Sequence, residues 1–256
     1  MPLVLSLFIS LVPILFFVAL VLWWDRREPE PKRLLAKLFF AGAFCWIIIF
    51  AFLQSIQIIF VSLNMAPPFD LISKTDLLSV LTSAVLIAFL NEIIKIIVAK
   101  RLAFANRAFN QTVDGIVYLT TIAWGAALMD NFYRIYLISQ KGDQLTMSLV
   151  LESAFAFIFL PLVMGISSGF SGLSMGRVHQ QLLKPAISFE HLMTNPIMIK
   201  GFAIAVIVQA VFRTLVSLDE TRYAGLIVLL SAIYLFSNFS AYKFNKVHPN
   251  TSPTVS

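Results

Sequence analysis

The chain has 256 residues, of which 59% are hydrophobic and only 12% charged, with a mean hydropathy of +0.87 and a formal net charge of +6. Soluble domains carry about a quarter charged residues, so an ordinary water-soluble globule is excluded. The single cysteine, Cys45, excludes an internal disulfide and a cysteine-based zinc cage.

The apolar residues fall into long runs separated by short polar stretches, the pattern of a polytopic membrane protein. The expected fold is all-α, with about seven transmembrane helices forming one membrane-embedded domain over residues 1–256. The first run, Leu3 to Trp24, lacks a basic leading segment and a small-residue cleavage site, so it reads as a retained anchor. Six further runs follow: Ala36–Leu63, Leu77–Ala99, a segment ending near Ile138, Ser148–Met175, Gly201–Leu218 and Ala224–Tyr242. Residues 244–256, ending in "NTSPTVS", read as a disordered tail.

Basic residues set the orientation, because cytoplasmic loops are enriched in them. One set of linkers and the C-terminal tail hold Arg26, Arg27, Lys32, Arg33, Lys37, Lys100, Arg101, Arg107, Arg177, Lys184, Lys243 and Lys246. The opposite linkers hold only Lys74, Lys141 and Arg222, so twelve stand against three. This predicts an outside N-terminus and a cytoplasmic C-terminus in the cell (plasma or inner) membrane. Topology and anionic lipid headgroups account for the positive charge, and no nucleic acid partner is needed.

Within the third run, "FLNEIIKIIVAK" (Phe89–Lys100) carries Asn91, Glu92 and Lys95 in apolar surroundings. The fourth run carries "MDNFYR" (Met129–Arg134), with Asp130, Asn131 and Arg134. Residues three or four apart share a helix face, so Glu92 can meet Lys95 and Asp130 can meet Arg134. The midpoint between Glu92 and Asp130 is residue 111, inside a plausible turn, "FNQT" (Phe109–Thr112). The two carboxylates are therefore expected to face each other at equal depth on neighbouring helices. Charged groups at mid-bilayer cost at least ~2.5 kcal/mol each, which drives them toward one another or a wet cavity. A polar chamber is one reading; a clamp of two self-neutralising pairs is the other.

Four stretches taken together resemble the PrsW-type intramembrane proteases, relatives of the CAAX-prenyl endopeptidases. "DRREPEPKRLL" (Asp25–Leu35) is similar to that family's D-x-x-E-P-E-P linker, and "NEIIK" (Asn91–Lys95) to its E-E-x-x-K motif. "VDGIVYL" (Val113–Leu119) resembles its D-G-[IV]-x-Y helix start, and "WGAALMDN" (Trp124–Asn131) its G-[FA]-A-x-x-E-N motif. The resemblance implies hydrolysis of peptide bonds in membrane proteins, with Glu92, Lys95, Asp130 and Asn131 as the catalytic positions. It also implies a divalent metal, zinc, on Glu92 and Asp130 if the family chemistry is retained. Two departures stand out. Asn91 replaces the first glutamate, and the fifth run has no histidine where the family pattern calls for one; His179, His191 and His248 fall in segments expected to be cytoplasmic and solvated. Catalytic zinc ordinarily takes three protein ligands.

Two other functions fit the same residues. One is a non-catalytic relative that binds a membrane helix or lipid; the other is a small ion-coupled carrier, against which the lack of an internal repeat counts. Expected partners are membrane lipids and a single-span membrane protein, as substrate or binding partner. Two lesser features complete the reading. The Gly165/Gly169 and Gly172/Gly176 spacings suit close helix packing, and Pro161 is placed to kink the fifth helix and free a carbonyl toward the chamber.

Overall fold

The computed structural model describes residues 2–24, 30–63, 77–104, 106, 108–140, 147–182, 188–218 and 220–245. Its elements are helices throughout: α1 (Pro2–Trp24), α2 (Lys32–Ser62), α3 (Leu77–Ala99), α4 (Thr112–Gln140), α5 (Met147–Leu182), α6 (Phe189–Thr194), α7 (Pro196–Ser217) and α8 (Thr221–Asn245). A π-helical turn, Lys100–Phe104, extends α3. Among the described residues five helices are long and apolar enough to cross a membrane: α2, α3 with its extension, α4, α5 and α7. Most of the tail expected to be disordered lies outside the described residues; its first two positions, 244 and 245, are the last turn of α8.

Local chemistry sets the helix starts. Asn195 caps α7, its Oδ1 accepting from the Ile197 amide at 2.9 Å, and Pro196 supplies a pre-set first turn. Ser188 caps α6, accepting from the His191 amide at 3.1 Å. The stretch His191–Thr194 is thus helical, and the break before α7 is confined to Asn195. Ahead of α4, the carboxylate of Asp114 accepts from the amides of Asn110 (2.7 Å) and Gln111 (2.6 Å), which closes the turn expected around residue 111.

The bundle is built around α4 and α5. Their apolar stretches are 83% and 78% buried, against 17% for α2, which shows its other faces outward. These two helices make the most extensive contact in the molecule, α4 also packs on α1 and α2, and α7 fits between α5 and α3. Glycine makes the central contact possible. A methyl group on Gly115 would overlap the Gly172 carbonyl oxygen, and one on Gly176 would overlap that of Thr112. Only residues without a side chain let two backbones lie this close.

One buried cluster fills the end where α2, α4 and α7 begin and α3 and α5 finish, with Leu38, Phe104, Tyr118 and Met175 at its heart. The Tyr118 hydroxyl donates to the buried carboxylate of Glu30, which ties the stretch before α2 to the start of α4. His179 rides the last turn of α5, half-buried between the rings of Phe104 and Phe109 at 4.8 and 4.6 Å. It is a packing residue on a helix that outlasts its expected end, where a solvated loop was expected. A second cluster, including Trp46, Met164 and Phe212, fills the opposite half.

Candidate functional site

Glu92 sits 15 residues into α3 and 12 before the end of its π turn, so it lies about 18 Å or more from either end. It is fully buried, and Lys95 one turn on is 1% exposed. Their ion pair measures 2.6 Å. The Lys95 ammonium also donates to the Ser168 hydroxyl at 2.5 Å, and that hydroxyl donates to Glu92 Oε2 at 3.1 Å. Gln209 Nε2 donates to Glu92 Oε2 at 2.9 Å and to Ser167 Oγ at 2.8 Å. Three helices therefore converge on one carboxylate oxygen. The other, Oε1, is buried without a hydrogen-bond partner, as are both amide atoms of Asn91 and the Gln209 carbonyl oxygen.

The second acid is held separately. Asp130 Oδ1 accepts from Arg134 Nε at 3.1 Å, and Oδ2 accepts from Arg213 Nη2 at 2.9 Å. Arg134 is 42% exposed and Arg213 only 10%, so Arg213 is the partner that a low-dielectric setting strengthens. Next to Asp130, the Asn131 amide nitrogen donates to the Phe157 carbonyl at 2.9 Å. Pro161 stands four residues after Phe157 within α5 and has no N–H to offer it. The carbonyl freed by proline is the one Asn131 takes.

Both acid–base pairs expected within α3 and α4 are present. α3 packs mainly on α7 and touches α4 little, so α7 bridges the acids through Gln209 and Arg213. Those two residues are four apart and so share one face of α7. Gln209 and Arg213 went unread although a polar pair on one face of an apolar run is the signal that singled out Glu92 and Lys95. Ser167 and Ser168 sat inside a stretch read only for its glycines.

The donor set does not fit a zinc ion held by three protein ligands. Among the described residues no three histidine, cysteine or acidic side chains come together. Both oxygens of Asp130 are bonded to guanidinium groups, and Glu92 Oε2 is bonded to an ammonium. Each carboxylate already has its cation.

Residues 30–239 match the model of the PrsW-protease family, described as PrsW family intramembrane metalloproteases. No curated protein and no solved structure matches the chain.

Proposed function

The chain belongs to the PrsW family of intramembrane metalloproteases and is an integral membrane protein; from that premise we propose that it hydrolyses peptide bonds of membrane proteins at the buried cluster around Glu92. The observation that carries this reading is the state of that carboxylate. One oxygen is fixed by Lys95, Ser168 and Gln209, and the other is buried with nothing bonded to it. Buried polar atoms in native proteins are almost always paired, so an unpaired carboxylate oxygen beside unpaired amides is a place for a polar guest.

In this reading Glu92 Oε1 takes a proton from a water molecule that attacks the scissile carbonyl, the role of a general base. Lys95 and Gln209 hold the carboxylate in one orientation, and the Lys95 ammonium offsets negative charge that builds up during attack. Asn91 and Gln209 supply the amide groups that position water or substrate backbone. Asp130, Arg213 and Asn131 fix α4, α7 and α5 around the cluster. Because the donors do not fit a zinc ion on three protein ligands, no step is routed through a metal.

We read the whole chain as one domain with seven crossings, an outside N-terminus and a cytoplasmic C-terminus in the cell membrane. The twelve-to-three division of basic residues supports that orientation, and the lengths of α1 and α8, 23 and 25 residues, support two crossings beyond the five. A single-span membrane protein is the substrate class that suits a catalytic group so far from either end of its helix.

The test is cleavage of fluorescently tagged single-span peptides in proteoliposomes. Wild-type protein is expected to cut at least one of them, and Glu92→Gln to lose at least about a hundredfold in rate while keeping its fold. Undiminished cleavage by folded Glu92→Gln rules out this base. A folded wild-type protein inert on a broad peptide panel would identify the cluster as an interhelical clamp.

A further inference from the structure

In the buried cluster around Glu92, one polar side chain among the described residues makes no hydrogen bond at all. The Ser168 hydroxyl gives its hydrogen to Glu92 Oε2, and the Ser167 hydroxyl gives its own to the Met164 carbonyl at 3.1 Å. Gln209 Nε2 carries two hydrogens, and both are committed, to Glu92 Oε2 and to Ser167 Oγ. The part of Gln209 left over, Oε1, can only accept. Lys95 directs its ammonium at Glu92 Oε2 and Ser168 Oγ. Asn91 differs from all of these: it is 2% exposed, and its Nδ2 and Oδ1 are both buried without a partner. Lys95 follows Asn91 by four residues and Glu92 by three, so the three share one face of α3. Asn91 therefore stands beside the carboxylate in the same turn, with both hydrogens of its amide uncommitted.

A buried amide without a partner destabilises a fold, and a leucine of similar size would avoid that penalty. Such a donor is suited to charge that is absent at rest and develops during a reaction. We propose that Asn91 is the oxyanion donor of peptide hydrolysis, its Nδ2 bonding the scissile carbonyl oxygen as that oxygen becomes negative. The inference rests on the hydrolytic reading of the cluster and adds to it the group that meets the new charge. A neutral donor fits this place, because Lys95 already balances Glu92 and a second buried cation there would be left uncompensated. In a water-excluded site, an N–H aimed at developing charge is worth far more than in water. The step needs no further reactant. Water loses one proton to Glu92 Oε1 while its oxygen bonds to the carbonyl carbon. The π electrons of the carbonyl move onto its oxygen, which Asn91 holds. As that oxyanion collapses the C–N bond breaks, and the leaving nitrogen takes the proton from Glu92. A carboxylic acid and an amine depart, and Glu92 is again ionised.

The experiment compares full-length wild type with Asn91→Leu and Asn91→Asp in the proteoliposome cleavage assay, with thermal unfolding of each protein alongside. Leucine removes the whole amide; aspartate keeps its shape and its acceptor but not its donor. Both variants should lose about a hundred- to a thousandfold in kcat, the cost of one missing oxyanion donor, with KM nearly unchanged. Asn91→Leu should melt no lower than wild type, because it removes two unpartnered buried atoms and breaks no bond. A loss confined to KM would make Asn91 a ground-state contact with substrate and overturn the assignment. A clear fall in the melting temperature of Asn91→Leu would overturn it too, by showing that the amide serves the fold. Full kcat in either folded variant, beside an inactive Glu92→Gln, would remove the oxyanion donor and leave the base in place. A wild type that cuts nothing would remove both.

Discussion

Gln209 and Arg213 stand one turn apart on α7, and each holds the acid of a different helix, Glu92 of α3 and Asp130 of α4, at 2.9 Å. A single helix thereby fixes the relative position of two others that touch each other little.

Removing Arg213 should show how much that arrangement matters. Arg213→Met leaves the buried Asp130 with only the half-exposed Arg134, and an uncompensated buried charge costs about 3–5 kcal/mol. Thermal unfolding in detergent should show a large drop. Combining it with Asp130→Asn should recover much of the loss; a double variant no more stable than the single one would mean the pair is not coupled.

The Glu92–Lys95 pair should behave the same way. Lys95→Met and Glu92→Gln should each destabilise by a few kcal/mol, because each strands its partner, and the double variant should be less damaged than the sum. Additive effects in this cycle would argue against a shared buried network.

Metal content is a direct check on the donor geometry. With both oxygens of Asp130 on guanidiniums and Oε2 of Glu92 on an ammonium, chelation should leave the melting temperature of purified protein unchanged. Elemental analysis should find no stoichiometric zinc. A chelator-sensitive fold, or one zinc per chain lost in Glu92→Gln, would refute this.

Proline and asparagine at the α4–α5 contact make a further pair. Asn131→Leu strands the Phe157 carbonyl, since Pro161 gives it no helical partner, and should cost about 1–3 kcal/mol. In a Pro161→Ala background the carbonyl regains an N–H, so the same substitution should cost clearly less. Equal penalties in the two backgrounds would count against the freed-carbonyl account.

Much of this was legible in the chain. Polar residues in apolar runs pointed to Glu92, Lys95, Asp130 and Asn131, and helical spacing paired each acid with its own base. Proline chemistry pointed to a freed carbonyl, and the spacing of Gly172 and Gly176 to close packing. Reading the site from the turn between α3 and α4 left out α7, because it looks only at helices consecutive in sequence. Tertiary packing instead seats α7 against α3, a non-local pairing that no spacing rule encodes. Arg213 and Gln209 therefore surfaced only with the fold. His179 misled for a related reason: α5 continues seven residues past Met175, and hydropathy marks where lipid contact ends without marking where a helix does.

The glycine seam between α4 and α5 has a mechanical consequence. Backbones in contact have no side chains that can rearrange between them, so these two helices move as a single strut, and Gly172→Leu should unfold the protein rather than loosen it. A guest at the Glu92 carboxylate therefore meets that strut, through Ser168, as an unyielding wall.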